Sequence, residues 1–316
     1  MHRGKRIALV IPAYNEAKLI RPTLEAVPGL IDKIYVVDDA SPDNQSEVIR
    51  DLAKKDKRIE LIRHEENQGP GGAIISGYLR SSKDNYDITV VIGGDHQMNL
   101  DEVERFLDPL IDGKADYTKG NRFFIWHKTR DKMPRIRIVG NIIITALTKL
   151  ASGYYKIMDV VDGYTAITKQ AIDIIDWGKA YKRYGYPMDF LIRLNAYGFR
   201  VLDVARTPVY LEGERQSQIK GLKYALRVSP MLLKGFFWRM IFKYIYLDFH
   251  PLVFFFFAGM ILFPYGLYLG FELIYKEFFI VSGKATGPTA ILCALSIITG
   301  LQFLLFGMWF DMEMSK

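Results

Sequence analysis

The sequence has little cysteine and, in two stretches, no charge at all. Cys293 is the one cysteine among 316 residues, which excludes disulfide bonds within the chain and cysteine-based zinc sites and fits a reducing compartment. No Asp, Glu, Lys or Arg occurs in residues 252–271 or 288–310. Because a bilayer core needs about 20 helical residues to cross it, each stretch predicts a transmembrane helix. Buried core helices are the alternative, but these usually carry a polar stripe.

Basic residues are concentrated just before the first of these stretches. Segment 220–250 mixes them with large apolar side chains, which predicts helices lying in the membrane interface. The positive-inside rule then predicts a multi-pass cell-membrane protein whose N-terminal domain and C-terminus are cytoplasmic. The apolar run near the N-terminus, 7–11, is too short for the core of a signal peptide. The cations before the first stretch include Arg227, Lys234, Arg239 and Lys243.

The first part of the chain alternates short β-branched runs with amphipathic stretches. Such alternation predicts a doubly wound α/β sheet, and we place this domain in residues 1–219. Residues 220–250 would form the interfacial helices and 251–316 the two-helix transmembrane region. The predicted buried parallel strands are 7–11, 34–37, 59–62 and 88–92. The predicted helices lie near 18–26, 46–54 and 72–81.

Acidic residues follow the second predicted strand, where ligands of doubly wound sheets bind. Asp38 and Asp39 end this buried strand, and an uncompensated carboxylate would be costly there. One of the two is therefore suited to accept hydrogen bonds from a nucleobase or a ribose. A helix N-cap supplied by Ser41 or Asp43 is the alternative, and both can hold together.

Two further loops follow the third and fourth predicted strands. Segment 69–72 is glycine-rich but lacks the dinucleotide pattern G-x-G-x-x-G, because Ile74 stands at the third glycine position. These glycines instead predict a tight turn and close helix packing. After the fourth strand, Asp95 and Gln97 offer oxygen ligands that suit Mg²⁺ or Mn²⁺ shared with a diphosphate.

Five segments, taken in order, resemble the inverting family 2 glycosyltransferases, which have the GT-A fold. The nearest subgroup is the polyprenyl-phosphate (dolichyl-phosphate) sugar transferases, where two C-terminal spans also occur. The segments are IPAYNE at 11–16, VVDDAS at 36–41, NQGPGGAIISG at 67–77, KGNR at 119–122 and DVVDGY at 159–164. The resemblance implies a membrane-bound enzyme that moves a hexose from a nucleotide-sugar to polyprenyl or dolichyl phosphate with inversion.

The resemblance also implies a role for particular residues by position. Those that would hold the nucleotide are Pro12, Tyr14, Glu16 and Asp39. Those that would serve the diphosphate are Asp95 and Gln97, as ligands of Mg²⁺ or Mn²⁺, and Arg122, near the phosphates. One position departs from the family, which usually has D-x-D-x-Q here. Gly93 replaces the first Asp, so we expect lower metal affinity unless His96 contributes.

Asp189 lies where the family often has an acidic residue proposed as a general base. A phosphate monoester, with a second pKa near about 6, is already largely ionised at neutral pH. The acceptor therefore needs little deprotonation, and we expect Asp189 to act in orientation or electrostatics as much as by removing a proton.

An anionic lipid acceptor requires basic and hydroxyl groups close to the membrane. Segment 126–137 fits an acceptor loop whose arginines pair with the phosphate. Attraction to anionic lipid headgroups, at about 1 kcal/mol per charge, explains the same residues equally well. The candidate acceptor-binding residues are Arg135, Arg137, Arg215, Ser217 and Lys220.

The expected partners are a nucleotide-sugar, with UDP preferred over GDP, polyprenyl or dolichyl phosphate, and membrane lipids, without nucleic acid. Gly266 and Gly270 form a Gly-x-x-x-Gly pair that would pack helices within or between subunits, and the latter would give a homo-oligomer. A processive polysaccharide synthase is one alternative, but its Q-x-x-R-W motif is absent. A non-catalytic membrane sugar-binding or assembly protein is the other, because Gly93 replaces an Asp.

Overall fold

The computed structural model describes residues 1–125, 135–207, 209, 221–279 and 287–315. The chain divides into two units, Met1–Phe236 and Phe237–Lys316. The strands are β1 (Ile7–Ala13), β2 (Lys33–Asp38), β3 (Ile59–Arg63), β4 (Ile88–Val91), β5 (Tyr117–Asn121), β6 (Thr165–Thr168) and β7 (Val201–Ala205). The helices are α1 (Ile20–Glu25), α2 (Gln45–Lys55), α3 (Pro70–Lys83), α4 (Val103–Ile111), α5 (Arg135–Ser152), α6 (Lys169–Ile174), α7 (Tyr186–Ala196), α8 (Gly221–Ile241), α9 (Leu252–Phe279) and α10 (Gly287–Glu313).

The described strands form one mixed sheet in the order β3-β2-β1-β4-β6-β5-β7. Strands β1 to β4 are parallel, which confirms the four strands predicted from the sequence. Strand β6 runs antiparallel to both of its neighbours, β4 and β5, and β7 pairs parallel with β5. The parallel half therefore aligns the carboxyl ends of β1, β2 and β4 at one edge, where the loops that follow them meet.

The core of the first unit explains why the central strand β1 is apolar along its length. Ile7 to Ile11 of β1 are fully buried, because helices cover both faces of a parallel sheet. Helix α3 approaches β1 very closely at Gly77. A Cβ on Gly77 would lie 2.3 Å from Val10 Cγ1, so only glycine fits between this helix and the sheet.

Replacing Gly77 with alanine is expected to destabilise the protein by about 1–3 kcal/mol, because the added methyl overpacks a filled core. Gly140 provides a matched control, since it also lies in a helix but a Cβ there would meet nothing within 4 Å. Gly140→Ala should be neutral or stabilising by up to about 1 kcal/mol. Denaturation midpoints of the two variants test this, and equal midpoints would contradict it.

The second unit contains the two predicted apolar helices. Leu252–Phe279 and Gly287–Glu313 are both long and apolar enough to cross a membrane, as the two charge-free stretches predicted. Before them, α8 ends at Ile241 and continues as a π-helical turn, Phe242–Leu247. These elements are helical, as predicted for 220–250, and their position in the membrane interface stays a prediction.

Glycines allow α9 and α10 to pack closely against each other. A Cβ on Gly300 would lie 2.5 Å from the backbone N of Phe263, and one on Gly266 would lie 2.7 Å from the N of Ile297. A Cβ on Gly259 would lie 2.8 Å from Leu304 Cγ, and one on Gly307 would lie 3.0 Å from Phe256 Cδ2. Gly266 of the predicted pair thus packs the two helices of one chain, whereas a Cβ on Gly270 would meet only Cys293 Sγ, at 3.4 Å. Association between subunits remains a prediction.

A buried ion pair joins the end of α8 to the last turns of α10. Arg239 Nη1 and Nη2 donate to Asp311 Oδ1 and Oδ2 at 2.7 and 2.9 Å. The Tyr244 hydroxyl donates to the same carboxylate at 2.6 Å. All three side chains are fully buried, so each depends on the others for hydrogen bonds that water would otherwise supply.

Candidate functional site

The loop after β1 is held in place by the loop after β2. Three backbone N–H groups of the first loop donate to side chains of the second loop and of the first residue of α2. The pairs are Asn15 N to Ser41 Oγ (3.0 Å), Glu16 N to Gln45 Oε1 (2.9 Å) and Ala17 N to Asp43 Oδ2 (3.0 Å). This bracing leaves the ring of Tyr14 49% exposed at the carboxyl end of β1, beside the half-buried Pro12.

Strained backbone marks these loops. Asn15, Ala40 and His96 have φ values of +58°, +59° and +54°, a conformation that side chains other than glycine rarely adopt. One of the three follows β1, one follows β2 and one follows β4. Such outliers concentrate at functional sites, where the surrounding structure holds them in place, so the three loops together are the best candidate site in the described residues.

Asp38 serves the fold of the β2 loop. Its side chain is fully buried and accepts hydrogen bonds from Ser41 N, at 2.9 Å, and from the Ser46 hydroxyl. The N-cap position of α2 is Asn44, not Ser41 or Asp43, but Asn44 makes no side-chain cap, and Asp43 Oδ1 accepts from Gln45 N, the first N–H of the helix, at 3.3 Å. Ser41 is instead engaged with the β1 loop, which needs its hydroxyl as an acceptor.

Asp39 organises the loop between β3 and α3. Its carboxylate accepts from His64 Nδ1 at 2.7 Å, from Gln68 N at 2.8 Å and from Gly69 N at 2.7 Å. His64 Nε2 lies 2.9 Å from Ser76 Oγ. An ionised carboxylate only accepts, so the His64 proton sits on Nδ1. His64 was not predicted as part of the site, since a single histidine in a loop has no diagnostic pattern.

The glycine-rich segment 69–72, which lacks the dinucleotide-binding pattern, forms the tight turn that was predicted for it. Gly69 has φ +91°. Gly71 N and Gly72 N, at the start of α3, donate to Lys182 O at 2.8 and 3.2 Å. A peptide carbonyl of this chain therefore occupies the helix N-terminus, where a dinucleotide-binding protein would hold a phosphate.

Asp95 is the carboxylate of the β4 loop. It is half-buried, and burial raises its pKa while the nearby Arg206 guanidinium opposes that shift. Its Oδ1 accepts from Gln97 N at 3.3 Å. That oxygen also lies 2.9 Å from where a Cβ on Gly93 would stand, so Asp95 fills space that a larger residue at 93 would need.

The loop after β4 offers few side chains that could bind a metal ion. The described residues contain no group of three or more His, Cys, Asp and Glu that could hold a metal ion. Mg²⁺, however, is commonly bound through only one or two carboxylates together with substrate phosphates. The Asp95 carboxylate and the Gln97 amide fit that mode of binding, in which most ligands come from the diphosphate and water.

Arg122 belongs to a buried ionic cluster. Its Nε and Nη2 donate to Asp159 at 2.6 and 2.9 Å, and Nε lies 3.2 Å from Asp162. Burial alone would raise the pKa of Asp159, but Arg122 holds it below its usual value. Arg206 donates to Asp162 Oδ2 at 2.8 Å. The guanidinium of Arg122 is thus already paired with two carboxylates. Its role near the phosphates of the donor stays a prediction.

The same cluster includes a buried lysine and a third acid. Lys119 donates to the backbone carbonyl of Asp162, and burial lowers its pKa. Asp203 accepts from Asn121 Nδ2 at 2.6 Å and from Met158 N at 2.8 Å, and burial raises its pKa to about 6. The cluster links β5, β7 and segment 159–164, so it fixes the ends of the elements that border the site.

Asp189 lies in the first turn of α7 and is 7% exposed. Its Oδ2 accepts from Tyr181 N and from Arg193 Nε, both at 2.8 Å. Arg193 is itself held by the carbonyls of Asp176, at 3.2 Å, and Lys179. Oδ1 takes no part in these two hydrogen bonds, so the carboxylate is held by one oxygen.

The candidate acceptor residues fall largely outside the described part of the chain. Arg135 and Arg137 lie in the first turn of α5, but their side chains are outside the described residues. Arg215, Ser217 and Lys220, and most of segment 126–137, also lie outside the described residues. Their role in acceptor binding stays a prediction.

Comparison of the sequence with known proteins identifies the family to which this chain belongs. Residues 8–175 match the family described as "Glycosyl transferase family 2". The UDP-N-acetylglucosamine--dolichyl-phosphate N-acetylglucosaminyltransferase of Methanococcus voltae is 30% identical over 66% of this chain and 87% of its own. The undecaprenyl-phosphate mannosyltransferase of Micrococcus luteus is 29% identical over 66% of this chain and 85% of its own.

A solved structure supports the fold. Glucosyl-3-phosphoglycerate synthase from Mycobacterium tuberculosis, in complex with Mn²⁺, UDP and glucosyl-3-phosphoglycerate, has a TM-score of 0.53. The likeness covers 74% of this chain and 80% of that one, at 19% identity. At this identity the likeness is one of fold, and it confirms the GT-A architecture expected from the sequence motifs.

Proposed function

Because this chain belongs to glycosyl transferase family 2, we propose that it transfers a hexose from a nucleotide-sugar to polyprenyl or dolichyl phosphate with inversion. UDP is the preferred nucleotide of the donor, and the domain that carries the site is cytoplasmic in a multi-pass membrane protein. The observation that carries the proposal is that α9 and α10, two helices able to cross a membrane, belong to the same chain as the site. Relatives named for lipid-phosphate acceptors support the choice of acceptor.

The donor would bind across the carboxyl ends of β1, β2 and β4. Pro12, Tyr14, Glu16 and Asp39 would hold the nucleotide, with the β1 loop kept in position by its three hydrogen bonds to the β2 loop and the first residue of α2. The diphosphate would lie at Asp95 and Gln97, which would hold Mg²⁺ or Mn²⁺. These two residues would thereby place positive charge beside the leaving diphosphate, where it would offset the negative charge that develops.

The acceptor phosphate would attack the anomeric carbon in line with the bond to the leaving diphosphate. This single displacement inverts the configuration. Since a phosphate monoester is largely ionised at neutral pH, the protein has mainly to position it. Asp189, fixed by Tyr181 N and Arg193, would orient the reacting groups, and the candidate arginines would neutralise the acceptor's charge.

A donor panel tests the proposal. The purified full-length chain is incubated with Mg²⁺, polyprenyl phosphate and a series of UDP- and GDP-sugars, and chloroform-soluble labelled sugar is measured. We expect product with a UDP-sugar and none when free polyprenol replaces the phosphate, because the alcohol is not ionised. Product with a GDP-sugar alone would overturn the donor assignment, and no product with any donor would overturn the function.

A further inference from the structure

Segment 181–183 is docked on the amino end of α3. Lys182 O accepts from two of the first N–H groups of this helix, those of Gly71 and Gly72, which would otherwise have no partner within the helix. A Cβ on Gly69 would lie 2.7 Å from Lys182 O, and one on Gly71 would lie 2.8 Å from Tyr181 O. The glycines thus make room for the backbone of this segment.

Asn67 joins the docked segment to the β2 loop. Its side-chain Nδ2 donates to Asp39 O at 3.1 Å. Its Oδ1 accepts from Arg183 Nη1 at 2.7 Å, and its backbone O accepts from Arg183 Nη2 at 3.1 Å. Both ends of the Asn67 amide are therefore used, one toward Asp39 and the other toward Arg183.

The other end of the docked segment reaches Asp189. Tyr181 N donates to Asp189 Oδ2 at 2.8 Å, and the segment leads directly into α7, where Asp189 lies. Hydrogen bonds therefore link the Asp39 carbonyl through Asn67 to Arg183, and the backbone of segment 181–183 connects Arg183 to Tyr181, whose N–H donates to the carboxylate of Asp189. This linkage connects the loop expected to hold the nucleotide with the residue expected to orient the reaction.

We propose that Arg183 is a positioning residue, which clamps segment 181–183 on Asn67 and so sets the position of Asp189 relative to the donor. This inference rests on the proposed function for its kinetic consequence, but the clamp itself does not depend on it. Arg183 suits the task because its planar guanidinium donates to two acceptors of one residue at once. A misplacement of about 1 Å at a reacting group can cost about a hundredfold in rate.

The geometry predicts which kinetic constant changes. The Asp39 carboxylate is held independently of the clamp, by His64, Gln68 N and Gly69 N. Donor binding should therefore survive the loss of Arg183. We expect Arg183→Ala to lower kcat by at least about tenfold, which is less than the loss of about a hundredfold that a full misplacement of about 1 Å can cause. The KM for the donor should change by less than about twofold.

Lys182 supplies the matched control. It is the neighbouring exposed cation, and among the described residues its Nζ donates to Gln68 Oε1 alone, at 3.1 Å, while its docking role belongs to the backbone carbonyl. Lys182→Ala should keep kcat within about twofold, since it removes one surface contact. Arg183→Lys should fall between the two, because an ammonium does not reproduce the paired hydrogen bonds.

A second measurement does not depend on turnover. Amide hydrogen exchange at Gly71 and Gly72 reports whether Lys182 O still covers the start of α3, and we expect faster exchange in Arg183→Ala than in Lys182→Ala. Unchanged exchange would overturn the clamp, whatever the activity. An active wild type with equal kcat in both variants would overturn the positioning role, whereas an inactive wild type with faster exchange would overturn only the proposed function.

Discussion

Replacing Asp311 with alanine is expected to destabilise the second unit by about 3–5 kcal/mol, the usual cost of removing one partner of a buried ion pair. The substitution leaves the guanidinium of Arg239 buried without its carboxylate, and the Tyr244 hydroxyl loses its acceptor. The full chain in detergent micelles, titrated with denaturant, gives the free energy of unfolding.

Two further variants make this result specific. Glu277, in the last turn of α9, is exposed, so Glu277→Ala should change stability by less than about 0.5 kcal/mol. The double variant Arg239→Met with Asp311→Leu removes both charges together and should recover most of the loss, because an apolar pair of similar volume often replaces a buried ion pair without cost. Equal stability of Asp311→Ala and wild type would contradict the prediction.

Replacing Asp95 with asparagine is expected to lower the transfer rate by about 10²–10³-fold, the magnitude found when one group that stabilises developing charge is removed. Asparagine keeps the volume of the side chain and an oxygen that can accept from Gln97 N, as Oδ1 does at 3.3 Å. The variant therefore tests the charge of Asp95 and not its shape. Initial rates with the donor identified by the panel measure the effect.

Asp101 provides the control for charge. It lies six residues further along the chain and is exposed, so Asp101→Asn should keep the wild-type rate. Raising the Mg²⁺ concentration should restore part of the Asp95→Asn rate if the lost step is metal binding at that carboxylate. A rate for Asp95→Asn within about threefold of wild type would show that Asp95 is not part of the diphosphate site.

The local patterns of the sequence were sufficient for the parallel half of the sheet and for the apolar helices. Strands β1, β2 and β4 are buried on both faces along most of their length, and continuous β-branched runs are the signature of such strands. Strand β6 has only four residues, Thr165–Thr168, and two of them are threonine. Its antiparallel direction follows from pairing with β4 and β5, which no local pattern specifies.

The candidate residues singled out from the sequence were those that match a motif or follow a strand, and residues whose contacts depend on pairing at a distance were not among them. Asp95 was singled out because it follows a strand, and its role stays a prediction. Arg206 was missed because its partner Asp162 lies 44 residues away, and no sequence periodicity connects them. The same holds for Arg183 and Asn67, which are 116 residues apart. Such pairs depend on tertiary structure, which brings together loops from opposite ends of the domain.

The glycines between α9 and α10 limit which amino-acid substitutions these two helices can accept during evolution. Gly259, Gly266, Gly300 and Gly307 each face the other helix so closely that a single methyl group would press on it. In lipid, helices associate mainly by such close packing, since there is little hydrophobic force between them. Mutation should therefore be tolerated around most of both helices, where one apolar residue serves as well as another, and be rejected at these four positions. Descendants of this gene should therefore differ at most positions of α9 and α10, but not at these four glycines or at the buried Asp311.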